Sequence, residues 1–172
     1  LSPSQQLLTL NLYNTGAQGV VFHVYDRLDL NQIPRRYTVE AGKALSDNWS
    51  VTDQYHLWLL GPNGFHRELR GAIEQPQPQV RLTPQGDHLS LTLTNPTRQA
   101  INVTIARCPY TQNGPWSIEL PAGERHQQAF DARTSGGWYD ISLQASDGWQ
   151  RRLAGRLENG EHSVSDPLMG KA

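Results

Sequence analysis

Apolar residues recur at every second position in short runs along most of this chain. Leu8, Leu10 and Leu12 alternate with Thr9, Asn11 and Tyr13. Val20, Phe22 and Val24 alternate with Val21, His23 and Tyr25. A period of two marks a half-buried strand with one face on a core and one in water. Residues 36–39 form a third, short strand turned by Glu40-Ala41-Gly42. Residues 43–50, with Leu45 and Trp49, form a fourth at an edge or crossing position. Residues 26–34, between the second and third strands, read as a polar and irregular loop.

The longest pattern covers residues 55–71. Tyr55, Leu57 and Leu59 alternate with His56, Trp58 and Leu60; Gly61-Pro62-Asn63-Gly64 follows, then a run from Phe65 to Gly71. This predicts a β-hairpin. Pro62 suits the first corner of a type I turn and Asn63 the second. Gly64 then takes the left-handed position that closes a three-residue loop with a G1 bulge. Parity supports that length, because it puts Tyr55, Leu57 and Leu59 on one face with Phe65, Arg67 and Leu69. A four-residue loop would put the two apolar sets on opposite faces.

The hairpin occurs twice. Residues 139–155 repeat Tyr, an Asp-Gly corner, an aromatic, Arg, Leu and Gly at an offset of 84, as Tyr55 and Tyr139 or Gly71 and Gly155 show. Upstream the offset is 81: Leu89, Leu91 and Leu93 match Leu8, Leu10 and Leu12, and Asn95 matches Asn14. Ile101, Val103 and Ile105 match the second strand, Ala122-Gly123 matches Ala41-Gly42, and Phe130 stands where Trp49 stood. The rise from 81 to 84 places three inserted residues around 133–137. A repeat of this length means duplication.

Residues 72–79 hold Pro76, Pro78 and three glutamines, a linker composition. The expected organisation is a first repeat over residues 1–73, a linker over 74–79 and a second repeat over 80–172, with residues 83–88 as a turn. Leu82 and Pro84 match Leu1 and Pro3. The strand ending at Leu82 begins near Gln79, so the matching strand would begin before Leu1, and an upstream segment is expected. Each half carries six or seven short strands in about 80 residues, enough for one small core. The fold expected is all-β: two tandem immunoglobulin-like or fibronectin-like sandwiches from an internal duplication.

Net charge is −1, which gives no electrostatic case for nucleic acid or an acidic membrane surface. The single cysteine, Cys108, cannot form a disulfide within the chain. No apolar run approaches the roughly 20 residues that span a bilayer.

The six histidines, His23, His56, His66, His88, His126 and His162, show no His-x-His or His-x-x-x-His spacing, so no metal site is expected. Asp26, Asp29 and Asp47 could assemble a calcium site in loops, though their spacing does not demand it. No Gly-x-Ser-x-Gly elbow frames a nucleophile, and Gly61-Pro62-Asn63-Gly64 reads as turn chemistry rather than a phosphate cradle. No catalytic residue and no cofactor are expected. Arg67 and Arg151 fall on the apolar parity of their strands. Their recurrence in both halves points to a shared fold role, a stem covering the sandwich rim and a head reaching water or a loop carboxylate.

The chain resembles the C-terminal repeat region of bacterial phosphocholine-preferring phospholipases C, large secreted enzymes related to acid phosphatases. The resemblance rests on Tyr37-Thr38-Val39-Glu40-Ala41-Gly42, on Leu45-Ser46-Asp47, and on Gly61-Pro62-Asn63-Gly64-Phe65 with Arg67 and Gly71. The second copy is degenerate, with Ala145-Ser146-Asp147-Gly148 at the turn. The resemblance implies that metal, nucleophile and phosphodiesterase chemistry lie in an α/β domain upstream in the same chain. That parent would cleave phosphatidylcholine, and in some members sphingomyelin, to release phosphocholine. This chain would be a non-catalytic accessory module of a secreted protein, extracellular or periplasmic, docked on the catalytic domain and helping to present it to lipid. The alternative is a stand-alone adhesion or carbohydrate-binding pair of sandwiches. A free-standing small hydrolase is disfavoured.

The outward faces of the two hairpins differ. The first presents His56, Trp58, Leu60, His66, Glu68 and Arg70; the second presents Asp140, Ser142, Gln144, Gln150, Arg152 and Ala154, an ordinary wet face. Trp58 and Leu60 make the first a candidate contact surface. Its partner could be the second sandwich, the catalytic domain or a lipid headgroup layer, and packing within the protein is the favoured reading.

Overall fold

A computed structural model describes residues 6–75, 77–107, 109–110, 114–158, 162 and 164–169. Thirteen strands and no helix occur among them. The chain divides into two compact units, Leu1–Gln75 and Pro76–Ala172. The first holds β1 (Gln6–Tyr13), β2 (Val20–Asp26), β3 (Arg35–Val39), β4 (Ala44–Val51), β5 (Gln54–Leu60) and β6 (His66–Ala72). The second holds β7 (Gln79–Gln85), β8 (His88–Thr94), β9 (Ile101–Arg107), β10 (Trp116–Leu120), β11 (Arg125–Asp131), β12 (Trp138–Ala145) and β13 (Gln150–Arg156).

Each unit is a sandwich of two antiparallel layers. In the first, β1 pairs with β4 from Gln6↔Val51 to Tyr13↔Ala44. The other layer runs β6, β5, β2, β3. Leu10, Leu12 and Trp49 from one layer meet Phe22, Val24, Tyr37, Val39, Leu57 and Leu59 from the other. The second unit repeats the plan with β11, β8 and β7 against β10, β9, β12 and β13. Leu89, Leu91 and Leu93 meet Val103, Ile105, Ile141, Leu143 and a fully buried Trp149. Alternation put one side of every strand into these cores, which is where burial of apolar surface stabilises the fold.

Both units are also closed by a buried asparagine just after their first shared strand. Asn14 Nδ2 donates to the carbonyls of Gln18 and Val39 at 2.7 and 3.0 Å, while its Oδ1 accepts from Gly16 N. Asn95 does the same with Gln99, Leu120 and Thr97. The side chain ties the strand end to the turn and to the neighbouring strand, satisfying backbone groups that burial would otherwise strand.

Two local readings change. Residues 83–88 are mostly strand, with Pro84 opposite Leu89 and the turn confined to Gly86 and Asp87. Proline is tolerated because β7 is the edge of its three-stranded sheet. The first hairpin has the expected three-residue loop and parity, with Leu60↔His66, Leu59↔Arg67 and Tyr55↔Gly71. Its corner, however, lies one residue later. Asn63 and Gly64 both have positive φ, 53° and 71°, and Phe65 N donates to Pro62 O at 3.0 Å. Two positive φ values in succession are the mark of a type I′ turn, for which Asn-Gly is the preferred pair.

Candidate functional site

The outward face of β5 and β6 is built by the hairpin register. Trp58 stands opposite Glu68, and His56 opposite Arg70, so His56 and Glu68 are diagonal neighbours. His56 Nε2 lies 2.6 Å from Glu68 Oε1, with the two side chains 17% and 19% exposed. Arg27, just past the end of β2, donates its backbone N–H to His56 O at 2.7 Å and lays its guanidinium 3.7 Å from the centre of the Trp58 ring. His66 meets Trp58 edge-on, with ring centres 5.5 Å apart. Tyr25 is opposite Trp58 across β2 and β5. Leu60 is half-buried and Arg70 exposed. Trp58 and Leu60 therefore do not form a bare apolar patch. The face is a half-buried aromatic and charged cluster, because the chain leaving β2 folds back and covers it with a cation.

Burial pushes the Glu68 carboxyl up, but the hydrogen bonds and charges of its neighbours outweigh this and hold it below the usual carboxylate range. His56 contributes most, with Trp58 and His66 adding to it. The Trp58 indole N–H is buried and acts on the carboxylate without completing a hydrogen bond by distance and angle.

The second hairpin is not the wet face its residues suggested. Asp140 is only 7% exposed and takes a two-pronged hydrogen bond from Arg152, at 2.8 and 2.6 Å. Asp140 and Arg152 match His56 and Glu68 at the offset of 84. Both units thus carry an acid–base pair on the same diagonal, with acid and base exchanged between strands. A feature present in both copies belongs to the fold. What remains particular to the first is Trp58, His66 and Leu60, where the second has Ser142, Gln150 and Gln144.

Arg67 and Arg151 keep the position expected, opposite Leu59 and Leu143. Arg67 stacks 4.2 Å from the Phe65 ring centre, and its Nη1 donates to His66 O at 2.8 Å. Arg151 stacks on Trp149 at 4.9 Å and donates to Gln150 O and Gln77 Oε1. Each head also folds back onto the carbonyl of the preceding residue. The aromatic two positions earlier on the same face gives each guanidinium a ring to lie on.

Tyr37 and Asp47 lie in separate sequence motifs and meet in the fold. Tyr37 Oη donates to Asp47 Oδ2 at 2.6 Å, Arg35 Nη1 donates to the same oxygen at 2.8 Å, and Trp49 Nε1 donates to Tyr37 Oη at 3.1 Å. Arg35 also stacks on Trp49 at 4.1 Å. The bonds from Tyr37 and Arg35 hold Asp47 below its ordinary range. In the second unit these four places are Trp116, Ile118, Gln128 and Phe130, and Trp116 packs edge-on against Phe130 at 5.7 Å instead. Arginine and tyrosine placed two residues apart on one strand, opposite an acid, were the available signal.

The remaining candidates do not converge. No group of three His, Cys, Asp or Glu residues suited to a metal occurs among the described residues. Asp47 is bound as above; Asp26 accepts from Leu28 N, and Asp29 from Asn31 N and Gln32 Nε2. Cys108 lies outside the described residues. Residues 26–34, read as polar, expose Leu28, Leu30 and Ile33 at 59%, 58% and 91%.

Comparison with known proteins gives a consistent result. The family described as bacterial phospholipase C, C-terminal domain, matches residues 2–72 and again 76–156. A non-hemolytic phospholipase C of Pseudomonas aeruginosa is 38% identical over 95% of this chain, and one of Burkholderia pseudomallei 37% identical over 95%. A hemolytic phospholipase C of Pseudomonas aeruginosa is 35% identical over 90%. The chain spans about a quarter of the length of these relatives, 24–25%.

Proposed function

Because the chain belongs to the family of bacterial phospholipase C C-terminal domains, we propose that it is a non-catalytic accessory module of a secreted phosphodiesterase. It docks on a catalytic domain upstream in the same protein and aids that domain's access to lipid. The parent hydrolyses phosphatidylcholine or sphingomyelin to release phosphocholine. The observation that carries this reading is the double family match within a chain that covers only a quarter of its relatives. The docking surface is the face of His56, Trp58, Leu60, His66, Glu68 and Arg70. Support comes from the contrast between copies, since Trp58, Leu60 and His66 are not needed to build the same hairpin in the second unit.

The test uses the full-length parent with and without this module. Hydrolysis of a water-soluble phosphocholine ester stays within about twofold, while hydrolysis of phosphatidylcholine vesicles falls about tenfold, as expected when only positioning is lost. Hydrolysis of the soluble ester by the isolated chain would refute the non-catalytic assignment. Equal loss on both substrates would refute a role specific to lipid access.

A further inference from the structure

Leu28, Leu30 and Ile33 are three aliphatic side chains held out in water within six residues, and Ile33 is almost wholly exposed at 91%. Scattered exposed leucines are ordinary, but three on one short loop are a patch. The loop is also built. Asp26 Oδ1 accepts from Leu28 N at 2.9 Å, Asp29 Oδ1 from Asn31 N at 3.3 Å, and Asp29 O from Gln32 N at 3.3 Å. Gln32 Nε2 donates to Asp29 Oδ2 at 2.8 Å. At its base Arg27 is fixed by its backbone bond to His56 and its stacking on Trp58. Two aspartate turns thus tie up the backbone N–H groups of Leu28, Asn31 and Gln32 while the aliphatic side chains are exposed.

We propose that the β2–β3 loop is a membrane-inserting tip, with Leu28, Leu30 and Ile33 entering the hydrocarbon edge of a phospholipid surface. This rests on the reading of the chain as an accessory module of a lipid-acting enzyme. Three observations favour lipid over a protein partner. The aliphatic groups stand out from a loop rather than lining a groove, so they suit a soft surface that closes around them. Four of the loop's N–H groups, at Arg27, Leu28, Asn31 and Gln32, are bonded within the protein, which lowers the cost of leaving water. The exposed Arg36 lies just past the loop and supplies a cation for lipid phosphates.

The duplication shows that the fold does not need these side chains. The corresponding segment of the second copy, residues 108–115, reads Cys-Pro-Tyr-Thr-Gln-Asn-Gly-Pro and contains no leucine, isoleucine or valine. Its Tyr110 is half-buried, with its hydroxyl donating to Asp166 at 2.8 Å. The strength of insertion can be bounded. Two leucines and an isoleucine carry about twelve side-chain carbons, less than one myristoyl chain, which gives reversible binding on the order of 10⁴ M⁻¹. The tip would be a weak tether that works beside another contact, as fits a module attached to an enzyme.

The experiment is co-sedimentation of the full 172-residue chain with phosphatidylcholine vesicles and with vesicles containing added phosphatidylserine. Wild type binds both weakly and reversibly. The triple variant Leu28→Ser, Leu30→Ser, Ile33→Ser loses about a hundredfold or more in partition coefficient. Because all three side chains are exposed, its thermal unfolding matches wild type. Leu7→Ser is the control, a residue 64% exposed elsewhere in the same unit, and it leaves binding unchanged. No vesicle binding by wild type overturns the proposal. Equal binding by wild type and the triple variant, or equal loss in Leu7→Ser, also overturns the tip while leaving a lipid role for the module standing. Tip-dependent binding to the parent's catalytic domain without vesicle binding assigns the loop to docking and overturns it as well.

Discussion

The two hairpins share a length, a parity and an offset, yet they close and brace themselves with different chemistry. In the first, Asn63 and Gly64 make a type I′ corner and a half-buried Phe65 follows. In the second, Gly148 N donates to Ala145 O at 3.2 Å, and only Gly148 has positive φ, so Ser146 and Asp147 form the ordinary corner with a glycine bulge. A fully buried Trp149 follows. The first copy braces its layers with Arg35, Tyr37, Asp47 and Trp49, and the second with Trp116 and Phe130. What both retain is register, the buried asparagine and a diagonal acid–base pair. Duplication here separates the positions that define the fold from those free to acquire a role, and the free positions of the first copy cluster around Trp58 and the neighbouring loop.

The largest predicted asymmetry is at the aromatic after the turn. Trp149→Ala removes a fully buried side chain and should cost about 3–5 kcal/mol. Phe65→Ala removes a half-buried ring that Phe22 and Arg67 contact, and should cost about 1–2 kcal/mol. Hydrogen exchange resolved by strand assigns each loss, to β12 and β13 in one case and to β5 and β6 in the other. Equal costs would mean that the copies are not built around different anchors.

Strands, the three-residue loop and the repeat were legible because each follows from a period or an offset along the chain. The corner type was not, since Pro62-Asn63-Gly64 fits two turns and the backbone choice depends on how the strands twist. Coverage of Trp58 was not legible either. It comes from Arg27, which lies 31 residues away. The same limit hid the Asp140–Arg152 pair, because alternation assigns a face but not its accessibility. Leu28, Leu30 and Ile33 lie among Asp, Asn and Gln, and composition outweighed the individual residues. A comparison of this loop with residues 108–115 would have exposed the difference.

The diagonal pairs give a second, smaller asymmetry. Arg152 needs both oxygens of Asp140, so Asp140→Asn replaces one acceptor with a donor facing a half-buried cation and should cost about 2–3 kcal/mol. Glu68→Gln keeps an acceptor for His56 and should cost about 0.5–1 kcal/mol near neutral pH. Acid gives a further test of the first copy. Glu68 and Asp47 are both held below their ordinary range in the fold, so their contributions are complete above the unfolded values near pH 4. Those contributions fade as the pH falls through the lower folded values. Asp131, also held low by Arg133, is on the surface, where solvent screens it. Acid should therefore weaken protection of β4, β5 and β6 as the pH falls below about 4, and unchanged protection through that range would break the account of both carboxylates.

The finest distinction is at the turns themselves. Asn63 sits at φ 53°, a left-handed position where a residue with a β-carbon is strained and asparagine is among the least so. Asn63→Ala should therefore cost about 1 kcal/mol, and Asn63→Gly should cost nothing or stabilise slightly, by removing the strain at the expense of a more flexible unfolded chain. At the second corner the signs differ. Asp147 has ordinary negative φ and its Oδ1 accepts from Trp149 N at 3.0 Å. Asp147→Gly then loses a hydrogen bond and gains chain entropy in the unfolded state, so it should cost about 1 kcal/mol. Urea unfolding of these three variants reads the result directly. Glycine tolerated at 63 but not at 147 confirms two turn types on one register. Glycine equally costly at both would mean that the first hairpin adopts the same corner as the second, and that the duplicated hairpins differ only in their side chains.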